Sequence, residues 1–255
     1  MCLIVFGHRS VPGYQLVLAA NRDEFLARPT AKLGWWEDDP NILAGRDLNG
    51  GGTWLGVNKR GQWAALTNYR DMATTKAVAP SRGDLPIIFL KENLTVLYGL
   101  ERVAPAMDAY NGFNLLMGNI GEIGYLSNMA DSPQPQILSE GFYGLSNHLL
   151  NTPWTKVTNT LATFTEIVKD GSIDEAALFA MLGDQRLAPD DELPETGIGY
   201  EMEKLLSAAY ITVDSRQYGT RVRTLLTIRD DGLVNMVEWG RGEPEPGVRF
   251  SFIAS

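Results

Sequence analysis

The sequence predicts an α+β protein whose strands lie towards both ends of the chain and whose helices are grouped in the middle. Short apolar runs rich in β-branched residues, separated by turn residues, fill the first 70 positions and the stretch after residue 210. Between them, residues 84–182 contain segments with helical periodicity. Elements segregated in this way favour layered antiparallel sheets with helices packed outside. No internal repeat or linker divides the chain, so residues 1–255 are predicted to form a single domain.

The first predicted element is a hairpin. Residues 3–6 and 15–20 are apolar runs, and Pro12 and Gly13 supply the turn between them. The second run ends in the polar cluster Asn21-Arg22-Asp23-Glu24. An antiparallel return brings this cluster back towards the first residues of the chain, where a carboxylate can hold a terminal ammonium by a charge-assisted hydrogen bond.

The rest of the chain follows the same pattern of runs and turns. After the acidic cluster the sequence predicts a loop region with Trp35, Trp36 and the acids Glu37, Asp38 and Asp39, and residues 184–196 are predicted as a second, acidic loop. The glycines at 50–52 lack a Gly-Lys-Ser/Thr ending and open no helix, which favours a turn or a close backbone approach over a nucleotide loop. Predicted strands cover residues 54–58, 62–68, 113–117, 123–127, 136–146, 210–213, 221–228, 234–239 and 248–253, and predicted helices cover 84–110 with a break near Pro105, 154–170 and 174–182.

Composition excludes several classes of protein. The formal net charge of -9 argues against nucleic acid or an anionic membrane surface as the main partner. A single cysteine excludes an internal disulfide framework. No apolar run approaches the roughly 20 residues of a membrane span, and no charged leader precedes the first strand. We therefore expect no stable membrane insertion and a cytoplasmic location.

That single cysteine, Cys2, directly follows the initiator methionine. Removal of the methionine would leave a thiol and a free amine on one residue. An α-amine with a pKa near ~8 is a usable base, and a thiol with a pKa near ~8.5 is a usable nucleophile. This is the chemistry of N-terminal-nucleophile hydrolases. The alternative is that a lone cysteine in an apolar strand is simply a small buried hydrophobe.

Several strings resemble those of one family. Cys2, the string Asn21-Arg22-Asp23-Glu24 with residues 25–29 after it, the glycine run with Thr53-Trp54-Leu55-Gly56, and Tyr218-Gly219-Thr220-Arg221 resemble the NRDE family, the homologues of the transport and Golgi organisation protein. The resemblance covers the whole chain. It implies a four-layer αββα sandwich of N-terminal-nucleophile hydrolase type, with antiparallel sheets.

The chain is more distantly similar to the choloylglycine hydrolase and penicillin V acylase group. That resemblance implies Cys2 as nucleophile, Asp23 to orient the amine, the Asn68 N–H and the Asn147 side-chain amide as oxyanion donors, and Arg221 near the thiol, where a positive charge favours the thiolate. Each of these residues can also have a purely structural role. Asp23 with its neighbouring arginine can be a surface ion pair, the asparagines can be turn residues, and the late arginine can flank a buried strand.

One element departs from that group. The group carries an arginine three residues before its aspartate, where this chain has Ala20, while Arg22 stands directly before Asp23. Adjacent strand residues face opposite sides of a sheet. We therefore expect that Arg22 and Asp23 do not both point at Cys2.

The chain has two histidines. His8 shares a predicted strand face with Cys2, but six residues separate them by about 20 Å, which excludes a dyad in a regular strand. His148 is adjacent to Asn147 and is either an ordinary loop histidine or a neighbour of the site. One cysteine and two histidines make no recognisable zinc set, so no metal site is predicted.

Two functions are compatible with the sequence. The resemblance implies haem trafficking and binding of lipid-derived ligands such as acyl-CoA, and the sequence analysis favours this reading. The expected ligand residues are Asn21, Arg22, Asp23, Glu24 and His148, with haem as cargo and no single axial ligand indicated by a motif. The alternative is hydrolysis of a non-peptide amide bond by Cys2, which requires no cofactor.

Overall fold

The computed structural model describes residues 2–245 and 247–255. In these ranges the strands are β1 Cys2–Val11, β2 Tyr14–Phe25, β3 Thr30–Trp35, β4 Ile42–Asp47, β5 Leu55–Asn58, β6 Trp63–Asn68, β7 Phe113–Gly118, β8 Ile123–Ser127, β9 Gln136–Ile137, β10 Gly141–Leu145, β11 Thr212–Val213, β12 Tyr218–Arg229, β13 Leu233–Gly240 and β14 Val248–Ile253. The α-helices are α1 Asp84–Lys91, α2 Val96–Val103, α3 Thr155–Val168, α4 Glu175–Leu182 and α5 Tyr200–Leu205. Short 3₁₀ segments cover Ala104–Ala109, Asp190–Glu192 and Asp214–Arg216.

The strands form two antiparallel sheets. The first has the order β10-β1-β2-β12-β13-β14, with β11 paired to β12, and the second has the order β3-β4-β5-β6-β7-β8-β9. The chain ends meet in the first sheet, where β2 pairs with β12 over almost their whole lengths. The N-terminal hairpin is therefore held between C-terminal strands and β10.

Helices cover the outer face of each sheet. The core between the sheets contains Ile4 and Phe6 from the first and Leu55 and Trp63 from the second. A second core joins the outer face of the second sheet to α1 and α2, and a third joins the outer face of the first sheet to α3 and α4. The layers are thus helix, sheet, sheet, helix, as the sequence analysis predicted.

Alternation along β1 and β2 decides which residues meet. Even-numbered positions such as Ile4 and Leu18 face the other sheet, whereas odd-numbered positions such as Val5 and Ala19 face α3 and α4. At the end of the hairpin Cys2 pairs with Arg22. Their side chains share the face between the sheets.

The segment between β2 and β5 is not simply the loop that the sequence analysis predicted around Trp35 and Trp36. It contains β3, which is the edge strand of the second sheet, and β4 beside it. The alternation of apolar and polar residues is weak in this part of the sequence. In the structure, a register irregularity interrupts β3 between Ala31 and Gly34. In β4, Gly45 interrupts the apolar run, since an added Cβ would lie 2.4 Å from the Trp54 ring. That glycine makes room for a ring that lines the cavity described below.

Three smaller expectations also change. The helix predicted over 84–110 is interrupted earlier than Pro105, because Glu92 is extended and Thr95 caps α2. The strand predicted over 136–146 is divided into β9 and β10, and α5 was not predicted. The glycine run does make a close backbone approach, since a Cβ on Gly52 would lie 2.3 Å from backbone atoms of Gly83.

Candidate active site

A polar cavity of about 150 Å³ opens between the two sheets at the start of β1. It is lined by Cys2, Arg22, Asp23, Glu24, Arg28, Asp47, Thr53, Trp54, Leu66, Asn68, Ser81, Arg82 and Gly83. The first sheet supplies the nucleophile candidate and the polar cluster. The second sheet and the segment before α1 supply the opposite wall.

Cys2 is the first residue of β1 and is only 8% exposed. Burial raises the pKa of its thiol and is the largest effect. The positive charge of the chain terminus lowers this pKa, the Asp23 carboxylate raises it, and the Arg22 guanidinium lowers it with a smaller effect. The thiol is therefore protonated at neutral pH. Nucleophilic attack would require a base that removes this proton.

Arg22 lies across the cavity mouth and ties the two sheets together. Its Nη2 is 3.2 Å from Asp47 Oδ2, its Nη1 donates to Thr30, and its guanidinium stacks 4.1 Å from the centre of the Trp54 ring. Arg28 binds the same Asp47 oxygen at 2.5 Å. These contacts hold the loop after β2 against β4.

Asp23 belongs to the opposite face of β2, as alternation predicted. It is 1% exposed, and its Oδ1 accepts a hydrogen bond of 2.6 Å from the Thr220 hydroxyl. Burial raises the pKa of the Asp23 carboxyl, whereas Lys156, the Thr220 hydrogen bond and Arg70 act to lower it. Because Cys2 pairs with Arg22, Asp23 lies one position further, beside the amino end of Cys2.

Asn68 ends β6 at the cavity. The N–H of Leu66 donates to Trp54 O at 2.8 Å, and N–H groups two residues apart point to the same side of a strand. The Asn68 N–H therefore points past the start of β5, where the cavity lies. The Asn147 side chain, which is fully buried, donates from Nδ2 to the Asn68 carbonyl at 2.9 Å. Asn147 thus contacts the residue expected to donate to the oxyanion.

Arg221 lies outside this arrangement. It is the extra residue of a bulge in β12, between the pairs that Thr220 and Val222 make with β2. Its guanidinium donates to the carbonyls of Phe25 and Arg28. Among the described residues, the arginines that line the cavity are Arg22, Arg28 and Arg82. Burial raises the pKa of the Cys2 thiol in spite of the positive charge of Arg22, and the effect of Arg221 on the thiol stays a prediction.

The residues expected to bind a ligand do not form one site. Arg22, Asp23 and Glu24 line the cavity with Cys2, but Asn21 faces the helices and its Nδ2 donates to the carbonyls of Leu182 and Ala209. His148 lies in a separate groove, formed by Tyr69, Arg70, Asp71, Ala73, His148, Thr152, Trp154, Pro194, Glu195, Thr196 and Gly197. His8 is buried in β1, six residues from Cys2, with Nδ1 3.2 Å from Ser139 O.

Several site residues were missed by the sequence analysis. Asp47 precedes the glycine run and had a local signal, because its Oδ1 accepts from the N–H groups of Asn49 and Gly50 as in an Asx turn. Arg82 and Lys156 carry no such signal. Arg82 lines the cavity from the segment before α1, and Lys156 in α3 acts through its charge on the Asp23 carboxyl.

The family model for Transport and Golgi organisation 2 matches residues 1–242. The chain belongs to the Transport and Golgi organisation 2 family. The human Transport and Golgi organization protein 2 homolog is 36% identical over 256 residues, covering 93% of this chain and 92% of the relative. The Drosophila melanogaster Transport and Golgi organization protein 2 is 29% identical over 267 residues, covering 93% and 91%.

Among solved structures, this family member resembles the C2A mutant of conjugated bile acid hydrolase from Clostridium perfringens. The match has a TM-score of 0.54 at 10% identity and covers 99% of this chain and 92% of that chain. It confirms the N-terminal-nucleophile hydrolase fold. None of the helices in the described ranges is long and apolar enough to cross a membrane. Within the same ranges, no three His, Cys, Asp or Glu side chains cluster as metal ligands.

Proposed function

We propose that this protein is an N-terminal cysteine hydrolase that cleaves a non-peptide amide bond. The observation that carries the proposal is the meeting of Cys2, Asp23 and Asn68 at one cavity. These residues come from β1, β2 and β6, so both sheets contribute to the arrangement. A structural cysteine would not require the polar groups that surround this one.

Catalysis begins once the methionine has been removed from Cys2. The α-amine takes the thiol proton, and the sulfur attacks the carbonyl carbon of the amide. Asp23 orients the amine by a charge-assisted hydrogen bond. The Asn68 N–H donates to the oxyanion, and Asn147 fixes Asn68 through its bond to the carbonyl.

The cycle closes through a thioester. The ammonium returns its proton to the leaving nitrogen as the C–N bond breaks, which releases the amine and leaves the acyl group on sulfur. Water then loses a proton to the α-amine and attacks the thioester. The C–S bond breaks, the thiol is reprotonated, and a carboxylic acid leaves.

The decisive experiment uses protein shown by intact mass to begin at Cys2. We expect hydrolysis of at least one member of an amide panel that includes N-acyl amino acids and acyl lactams, with an acyl adduct on Cys2 seen by mass spectrometry. Both signals should be absent from Cys2→Ala. Asn147→Ala should lower the rate, because Asn68 then loses the hydrogen bond that fixes its carbonyl. A correctly processed chain that neither hydrolyses any amide nor forms an adduct contradicts the proposal.

A second candidate function is carriage of an amphipathic ligand, haem or acyl-CoA. The observation that favours it is the groove around His148, about 560 Å³ in volume, where the imidazole lies between the rings of Tyr69 and Trp154 at 4.8 and 5.8 Å. The Thr152 hydroxyl donates to Leu149 O, so His148 Nδ1, 2.9 Å from it, must be the donor. Nε2 then carries a lone pair, and burial lowers the pKa of His148, which keeps the ring neutral.

This carrier function predicts saturable binding at that groove. Haem should titrate to a defined stoichiometry in absorbance spectra, with a ligand band that is lost in His148→Ala but retained in His8→Ala. Calorimetry with acyl-CoA tests the other ligand. No saturable binding of either ligand contradicts carriage, and haem binding unchanged in His148→Ala contradicts this groove as the site.

A further inference from the structure

Of the three arginines that line the cavity, one has no carboxylate partner among the residues that the structure describes. Arg22 and Arg28 both contact Asp47, at 3.2 and 2.5 Å, and both lie 3.9 Å from Glu24. Arg82 donates from Nη1 to Gly112 O at 2.9 Å. Within residues 2–245 and 247–255, no carboxylate oxygen comes within ion-pair distance of its guanidinium, so most of its five N–H donors remain available.

Arg82 also lies in the electric field of the thiol. Burial lowers the pKa of Arg82, and an ionised Cys2 is the strongest of the neighbouring charges that raise it. Arginine stays charged even so. A partly buried guanidinium loses hydration, and this cost is offset only when an anion pairs with it.

The surroundings of Arg82 suit an anion. The Ser81 hydroxyl lines the same wall and is a further donor, and the two acidic groups closest to the cavity mouth are already bound by the other arginines. The whole protein carries a formal charge of -9, so this positive group is not part of a generally basic surface. The unpaired positive charge is local to the cavity that contains the nucleophile candidate.

We propose that the Cys2 cavity selects acyl compounds carrying an anionic group and that Arg82 binds this group. The substrate class rests on the proposed hydrolase function, whereas the pairing of an anion with Arg82 does not. A carboxylate and a phosphate both accept two parallel hydrogen bonds from a guanidinium. Arg82 is therefore a specificity residue, and the neutral counterpart of a substrate should bind weakly because the guanidinium would remain buried and unpaired.

The single cysteine permits a direct test without a known substrate. Iodoacetate and iodoacetamide alkylate a thiolate by the same displacement, in which a C–S bond forms and iodide leaves, but only iodoacetate is anionic. The ratio of their rate constants at Cys2 cancels the fraction of thiolate. We expect the ratio to be about tenfold higher in the folded protein than in the denatured protein and to fall by a similar factor in Arg82→Gln.

Two controls keep this test decisive. Arg102→Gln removes an exposed arginine of α2 that pairs with Glu92, and it should leave the ratio unchanged. In the wild type, acetate or phosphate at matched ionic strength should slow iodoacetate more than chloride does, which needs no variant. Stronger protection by acetate assigns a carboxylate, and stronger protection by phosphate assigns a phosphate. A ratio equal in wild type and folded Arg82→Gln, or no protection by either anion, overturns the proposal.

Hydrolysis assays distinguish the failure of the anion site from the failure of the proposed hydrolase function. Amide pairs that differ only by a carboxylate or its primary amide should be cleaved with an Arg82-dependent preference, seen mainly in KM. An Arg82-dependent alkylation ratio without any hydrolysis would keep the anion site and remove the hydrolase function. Hydrolysis of both amides with equal efficiency in wild type and Arg82→Gln would keep the hydrolase and remove the anion site.

Discussion

Asp23→Asn is expected to lower amide turnover by roughly a hundredfold or more while leaving the protein at least as stable as the wild type. Turnover falls because a neutral amide holds the α-amine of Cys2 more weakly and misorients the base. Folding is spared because an asparagine oxygen can still accept from the Thr220 hydroxyl, which is 2.6 Å from the carboxylate. The measurements are steady-state hydrolysis and thermal unfolding on protein that begins at Cys2.

The pH dependence of stability gives the direction in which Asp23→Asn should change the stability of the protein. Burial raises the pKa of Asp23 above that of an unfolded carboxyl. A group with a raised folded pKa contributes stability that is complete below the unfolded pKa and is lost as pH rises through the folded pKa. At pH 7 the ionised Asp23 therefore costs stability that asparagine does not cost. The variant should unfold at an equal or higher temperature at pH 7, and the difference should vanish towards pH 4.

A matched control is Asp231→Asn. Asp231 pairs with Arg229 on the surface, with both side chains about half exposed, and surface changes of this kind alter stability by less than about 0.5 kcal/mol. It should leave turnover unchanged. A large loss of stability in Asp23→Asn would show that the carboxylate is needed for folding, and full activity would remove its role in orienting the amine.

Much of the fold was predictable because its signals are local. The turn at Gly13, where φ is 84°, and the apolar runs on each side define the first hairpin without reference to the rest of the chain. Strand β3, at the edge of the second sheet, and β4 beside it were not predicted, because some of their contacts are with residues distant in the sequence. Leu33 N–H, for example, donates to the buried carboxylate of Glu238 in the other sheet, a contact that no local pattern indicates.

The candidate site was likewise predictable only in part. Cys2 and Asp23 lie near the ends of two paired strands, so the predicted hairpin brings them together. Asn68 belongs to the other sheet, and its place in the site was implied only by the family resemblance. Arg221 was expected near the thiol, but a bulge at that point of β12 redirects its side chain to the loop after β2. A bulge of one residue has no clear sequence signal. The positive side chain that acts on the thiol is instead Arg22, which pairs with Cys2 and lies on the same face of the sheet.

Glu203→Gln is expected to reduce the free energy of unfolding by about 3 kcal/mol, which lowers the melting temperature by roughly 6–12 °C in a chain of this size. Glu203 Oε2 is 2.6 Å from Arg70 Nη1, and each side chain is only 5% exposed. Burial lowers the pKa of Arg70, and the Glu203 charge is the main effect that opposes it. Removing one partner of a buried pair leaves the other charge unpaired.

The structure around Arg70 explains why the loss should be large. Its guanidinium also stacks 4.9 Å from the centre of the Trp154 ring, and buried Lys156 is a second positive charge in the same region, whose pKa is lowered by burial to about 8. Glutamine can still accept from Thr196, as Glu203 Oε1 does, but its amide N–H group replaces the oxygen that accepts from Arg70. The variant therefore removes both the negative charge and this hydrogen bond. Glu92→Gln, which breaks the exposed pair with Arg102, should cost less than about 1 kcal/mol. Chemical denaturation of both variants measures the difference, and equal losses would mean that the buried pair contributes no more than a surface pair.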